Sequence, residues 1–231
     1  MKIQFDSATL EAEAIRQRYL KVDAATVSDV LDGLGYLHQG LGGHFAPYPE
    51  TAGKLAGWAY TICGAMRPYA GGGGDPDKMK AVDGLRPGCV SVWSGAGDGV
   101  CFFGELIALG MKTRGCTGAL VDGGIRDIEW IARQRFPVYA RYRTPVQSIG
   151  RWKVTAWQVP AYLPGATKQH VIVNPGDFVL GDIDGVIVVP AEAVEKALNE
   201  AERLTSTEVK IRAELDAGAT LEQVLAKYGH V

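Results

Sequence analysis

The sequence has no apolar run long enough to cross a bilayer, no block of like charges, and no two cysteines at Cys-x-x-Cys spacing. Each absence removes a class of function. A membrane-spanning helix needs about 20 consecutive apolar residues, so no membrane partner is expected. The 24 Lys and Arg are offset by 26 Asp and Glu, and the resulting net charge of -2 leaves no basic footprint for nucleic acid. Cys63, Cys89, Cys101 and Cys116 are too scattered for a zinc site or a redox pair and read as buried free thiols. His38, His44, His170 and His230 form no paired ligand motif on one helix face. The segment from Met1 to Asp6 lacks the apolar core of a secretory signal, so the expected location is the cytoplasm.

What is present is ample core material. At 231 residues, 47% of them hydrophobic, the chain can bury a sizeable interior, and no linker or repeat divides it, so one domain over residues 1–231 is expected. Periodicity predicts helices over 8–19 and 25–34 as an N-terminal lead, then a strand over 90–93. Helix over 100–112, strand over 118–121, helix over 128–133 and strand over 138–141 follow. The chain then turns to strands over 154–163, 169–173, 178–180 and 186–189. A helical tail closes it, with a long helix over 191–217 and a short one opened by a capping box of Thr220 and Gln223. An eight-unit barrel matches the length but not the strand-rich second half.

The densest chemistry lies in Val121-Asp122-Gly123-Gly124-Ile125-Arg126-Asp127, where a buried strand gives way to a helix. The glycine pair lets the backbone turn sharply or approach a ligand. Arg126 offers a planar two-point contact to a carboxylate or oxyanion. Asp127, with Glu105 separated from Arg126 by twenty intervening residues, supplies hard oxygen donors for magnesium or manganese. From spacing alone a second reading stays open: Asp127 caps the following helix, Arg126 pairs with a surface acid, and Glu105 is solvated.

The run from Gly104 to Arg141, GELIALGMKTRGCTGALVDGGIRDIEWIARQRFPVYAR, resembles the core of the RraA-like family. That family includes metal-dependent pyruvate aldolases acting on 4-hydroxy-4-methyl-2-oxoglutarate and 4-carboxy-4-hydroxy-2-oxoadipate, and also ribonuclease inhibitors. Its pattern of an acid, twenty residues and Arg-Asp is met here with glutamate where the aldolases often carry aspartate. Further resemblance lies in Asp83 to Gly88, Ser148 to Trp152, Asn174 to Asp177 and Gly181 to Pro190.

The resemblance implies an α/β/α sandwich of the swivelling β/β/α type, assembled as homotrimers or homohexamers with shared active sites. It implies a class II pyruvate aldolase: a lyase that cleaves a 4-hydroxy-2-oxo acid to pyruvate and a second carbonyl product, with oxaloacetate decarboxylation as a side activity. The alternative it implies is a non-catalytic regulatory protein of the ribonuclease-inhibitor type. By the same resemblance, Arg126, Glu105 and Asp127 are catalytic, and Gly104, Leu106, Ile107 and Arg126 bind the substrate. Asp127 ligates Mg2+ or Mn2+ directly, Glu105 does so through water, and Glu202 or Glu208 reaches the metal from a neighbouring subunit.

Three other features read as structural. The segment Gly71 to Pro76 lacks the ending of a phosphate-binding loop and reads as a flexible connection. Trp152 and Trp157 read as core, and Lys112 and Lys153 as solvated rather than Schiff-base lysines.

Overall fold

A computed structural model describes residues 7–70 and 73–229 of the chain. His230 and most of the segment from Met1 to Ser7 lie outside the described residues, as do Gly71 and Gly72 of the glycine-rich connection. Alternation along β2 (Leu55–Met66) sets the layers, because successive strand side chains point to opposite faces. Ala56, Tyr60 and Ile62 face helices, whereas Leu55 and Ala59 face a second, smaller sheet.

The main sheet runs β1 (Ala46–Pro47), β5 (Val138–Arg143), β4 (Gly118–Ile125), β3 (Cys89–Phe103), β2, β9 (Phe178–Asp182), β10 (Gly185–Val189). Strands β2, β3, β4 and β5 are parallel neighbours. The free edge of β2 is shared by two antiparallel strands: β9 takes Leu55 to Trp58, and β6 (Trp152–Trp157) takes Ile62 to Met66.

On one face, α1 (Ser7–Tyr19), α2 (Ala24–Gly33) and α6 (Val194–Asp216) cover Phe178, Leu180, Ile187 and Val189. Beside them α3 (Pro76–Asp83), α4 (Glu105–Lys112) and α5 (Ile128–Gln134) cover Trp93, Ala119, Val121, Val138 and Ala140. On the other face Val90, Val92, Leu120, Val179 and Val188 pack against a ribbon of β7 (Ala161–Pro164) and β8 (His170–Val173). The ribbon buries Ala161, Leu163, Val171 and Val173 and exposes Tyr162 and Ile172. It therefore offers a single apolar face that occupies the space a second helix layer would need. This mixed α/β fold has helices at both ends of the chain, but the expected α/β/α sandwich is corrected to ribbon, sheet, helix.

Other boundaries shift for local reasons. Residues 100–103 are strand, not helix, and α4 starts only after Gly104. The expected strand over 154–163 is two strands, broken where Gln158 takes φ 55° and Pro160 has no N–H to donate. The long helix opens with a 3-10 turn, Ala191–Ala193. The final helix α7 (Leu221–Tyr228) has both halves of its capping box: Gln223 N–H donates to Thr220 Oγ1 at 3.2 Å, and Thr220 N–H to Gln223 Oε1 at 2.8 Å. Cys89, Cys101 and Cys116 are buried free thiols as expected, whereas Cys63 is half-buried. Among the described residues, no helix is long and apolar enough to cross a membrane.

Candidate active site

The site forms where β3 and β4 end side by side. Phe103 pairs with Ile125, and Arg126 N–H donates to Phe103 O at 3.1 Å, so Gly104-Glu105 and Arg126-Asp127 leave the sheet abreast. The carboxyl ends of parallel strands are the usual place for ligands in open α/β sheets. The glycine pair that precedes Arg126 serves packing instead of turning or ligand approach. A Cβ on Gly123 would lie 2.3 Å from the Phe102 ring, and one on Gly124 would lie 2.6 Å from Val100 O.

Asp127 occupies the N-cap position of α5 with φ 62°, a left-handed conformation that aspartate tolerates better than most residues. Its side chain makes no cap hydrogen bond to its own helix. Oδ2 instead accepts from Glu105 N–H at 3.3 Å, and it lies 3.5 Å from Arg126 Nε. The capping alternative for Asp127 is thereby removed, and the acid beside Arg126 is Asp127 itself. Both side chains remain more than two-fifths exposed.

Glu105 begins α4, and its Oε1 accepts from Gln134 Nε2 at 2.8 Å, so α5 fixes its direction. The N-cap of α4 is Gly104, which supplies no side-chain acceptor to the first N–H groups of that helix. Nor is there room for one: a Cβ at Gly104 would lie 2.8 Å from Asp127 Oδ2. Leu106 on this first turn is 77% exposed, so the open helix end faces outward. Such an end attracts anions through its unsatisfied N–H groups and helix dipole.

Gly104, Leu106, Arg126 and Asp127 line a cavity of about 210 Å³ together with Lys78, Cys101, Gln147 and Ser148. A shallower groove of about 630 Å³ lies on the far side of Arg126 and Asp127, toward Arg143 and Thr144. Lys78 had no sequence signal: it enters on α3, and only the fold brings that helix to the ends of β3 and β4. Burial draws its ammonium down to about 8, Asp75 and Cys101 oppose the shift, and Arg126 adds to it.

The C-terminal glutamates do not line this cavity in their own chain. Glu202 Oε2 is 2.7 Å from Arg18 Nη2, and Glu208 Oε2 is 2.7 Å from Arg212 Nη2. Lys112 donates to Gln134 O, and Lys153 pairs with Asp77 at 3.3 Å. Trp152 is fully buried, stacked on Phe102 at 4.2 Å, and Trp157 packs against the same core. The acids in the later family-like segments are structural. Asp177 accepts from Asn174 and Ala191 N–H, and Asp182 from Ala24 and Asp184 N–H.

Among the described residues, no three His, Cys, Asp or Glu side chains cluster to hold a metal between them. Of the two expected carboxylate donors, Asp127 lines the cavity, whereas Glu105 is turned to Gln134 and does not line it. Gly104 also leaves open the space in front of Asp127 Oδ2 that a Cβ would fill. That chemistry fits a hard divalent cation held by few carboxylates and several waters, as magnesium commonly is.

Residues 24–188 match the family described as RraA-like, Aldolase/RraA. Protein DlpA of Legionella pneumophila is 28% identical over 92% of this chain, which spans only 33% of that longer protein. A protein of Halalkalibacterium halodurans named "Putative 4-hydroxy-4-methyl-2-oxoglutarate aldolase" is 29% identical, with 92% of this chain and 94% of that one covered. The crystal structure of Streptomyces coelicolor RraAS2, an unusual member of the RNase ES inhibitor RraA protein family, superposes with a TM-score of 0.74. At 24% identity it covers 87% of this chain and 98% of that one, and shows a shared fold.

Proposed function

The chain belongs to the RraA-like family, and on that premise we propose that it is a divalent-metal-dependent lyase. It cleaves a 4-hydroxy-2-oxo acid by a retro-aldol reaction, releasing pyruvate and a second carbonyl compound. The observation that carries this reading is the diverted carboxylate of Asp127, which leaves its own helix uncapped and turns toward Glu105 N–H beside Arg126. The full-length similarity to a protein named as such an aldolase supports it.

In this reading the N–H groups of Leu106 and Ile107, next to Gly104, receive the substrate's carboxylate at the open end of α4. Arg126 sits on the 2-oxo oxygen and stabilises the negative charge that develops there when the C3–C4 bond breaks. Asp127 holds the Mg2+ or Mn2+, with Glu105 contributing through water. The bound cation supplies Lewis-acid polarisation of the 2-oxo group. Glu105, steadied by Gln134, orients a water that takes the proton from the 4-hydroxyl. Loss of that proton releases the second carbonyl compound, and protonation at C3 completes pyruvate. Oxaloacetate would yield the same enolate by loss of carbon dioxide.

We read residues 1–231 as one unit of the swivelling β/β/α type that works in the cytoplasm as a homotrimer or homohexamer. Glu202 or Glu208 of a neighbouring subunit then completes the metal's surroundings. Pyruvate release from a 4-hydroxy-2-oxo acid, measured after chelation and again after adding magnesium or manganese, tests the proposal. Activity should vanish and return. A regulatory protein of the ribonuclease-inhibitor kind would release none under either condition, and activity that survives chelation and is trapped by borohydride would mark a Schiff-base enzyme instead.

A further inference from the structure

The retro-aldol scheme names an acceptor for the 4-hydroxyl proton but no donor for the proton that C3 gains. Such a donor has to face the cavity that holds the enolate. On its wall Arg126 cannot serve, because a guanidinium does not give up its proton in proteins, and burial pushes the Cys101 thiol up. Lys78, on the first turn of α3, is 8% exposed, and no other lysine among the described residues lines this cavity.

The surroundings of Lys78 leave it a proton to give. An ammonium carries three, and its near acceptors are Phe102 O at 3.0 Å from Nζ and Ser148 Oγ at 3.5 Å. Its charged neighbours act in opposition. Asp75, whose two oxygens are fixed by the N–H groups of Asp77 and Val154, favours the ammonium, whereas burial and Arg126 favour the amine. The balance lies near 8, where a group can both give and take a proton close to neutral pH. That Arg126 acts on Lys78 across a cavity of about 210 Å³ also sets the ammonium near the group assigned to the 2-oxo oxygen, and C3 is bonded to the carbon that bears this oxygen.

We propose that Lys78 is the acid-base group at C3, whose ammonium protonates the pyruvate enolate once the C3–C4 bond has broken. The assignment rests on the reading of the site as a 2-oxo acid lyase. In this step an Nζ–H bond breaks, its proton forms the new C3–H bond with the enolate's π pair, and the 2-oxo C=O bond re-forms. Lys78 is left as the neutral amine and regains a proton from water. Run backwards, the amine takes a methyl proton from bound pyruvate.

The backward step tests the assignment apart from carbon–carbon cleavage. Full-length protein with magnesium and saturating pyruvate is placed in heavy water, loss of the methyl signal is followed by proton NMR, and pyruvate binding is read separately by calorimetry. Wild type should exchange the methyl protons, and Lys78→Met should still bind pyruvate but exchange about 10²-fold or more slowly. Lys78→Gln should act in the same direction and serves if the methionine variant does not fold. Lys78→Ala should regain exchange when methylamine is added, a rescue that a purely structural lysine would not show. Exchange in a folded Met or Gln variant within about threefold of wild type, or an alanine variant that methylamine does not rescue, overturns the assignment. Wild type that binds pyruvate without exchanging its protons overturns it too, while the 2-oxo acid reading stands. If wild type binds no pyruvate, that reading fails and the Lys78 assignment fails with it.

Discussion

Two helices open onto the same cavity, and they begin in opposite ways. The start of α3 is closed: Asp75 receives the N–H of Asp77 and also that of Val154, so one carboxylate both caps the helix and ties it to β6. The start of α4 is open: its N-cap is a glycine, and the acid nearest to it, Asp127, belongs to another helix and reaches only the first N–H. Unsatisfied N–H groups at a buried end are destabilising, but at an accessible end they are available to a ligand. A closed helix start reports on stability, and an open one that is kept open by sterics reports on binding.

That contrast breaks most completely at Arg126. Arg126→Lys keeps the charge beside the open end but not the planar two-point contact. Pyruvate release should fall about 10²-fold or more, as when one oxyanion donor is lost. Turnover within about twofold of wild type would remove Arg126 from the chemistry. Gly104→Ala probes the opening itself. The φ of -156° suits any residue, so the obstacle is the contact with Asp127. Activity should drop at least about tenfold, while the unfolding free energy changes by less than about 1 kcal/mol.

Asp75→Ala is the converse experiment at the closed end. Two backbone N–H groups lose their acceptor, which should cost about 2 kcal/mol by chemical denaturation. A variant as stable as wild type would mean that water replaces the carboxylate at no cost.

Lys78 sharpens the contrast further, because it sits on the first turn of the closed helix yet buries its ammonium among neutral hydrogen-bond partners. Its folded value lies near 8 against an ordinary lysine value of 10.5. Above pH 8 the unfolded chain therefore binds more protons than the folded one, and stability should rise with pH. Between pH 8 and about 9.5 wild type should gain roughly 1 to 2 kcal/mol relative to Lys78→Met, and equal slopes for the two proteins would contradict the burial of a charge there. The smallest effect is expected at Glu202, whose pair with Arg18 is about two-fifths exposed on each side. Glu202→Ala should cost under about 1 kcal/mol of stability. A large loss of activity with stability intact would then point to a role in a neighbouring subunit's cavity, testable by mixing the variant with inactive Arg126→Ala subunits.

Local signals in the sequence reached some elements and not others. The strand-to-helix junction at Arg126-Asp127 and the Thr220 capping box were legible because each depends on neighbours a few residues away. The central strand β2 was not. Leu55 to Met66 is apolar on both faces and carries Gly57 and Gly64, so it shows neither the alternation of a half-exposed strand nor a helical stripe. Residues 100–103 misled for a related reason: an apolar run fits either a buried strand or a helix, and only Gly104 marks the change. Lys78 was invisible because its significance comes from the meeting of α3 with the ends of β3 and β4, which no local window contains.

The layer of α1, α2 and α6 has a kinetic consequence. Tyr19 donates its hydroxyl to Val194 O, 175 positions away, and Arg18 meets Glu202 across 184. The buried residues of the core beneath α3, α4 and α5 all lie between 60 and 154. Closing a chain across most of its length carries the larger entropy, growing with the logarithm of the separation. The two ends should therefore clasp after the central βα units have paired, and the amides of α1 should gain protection from hydrogen exchange later during refolding than those of β3 and β4. In a cell the same order would leave the clasp open until α6 has left the ribosome.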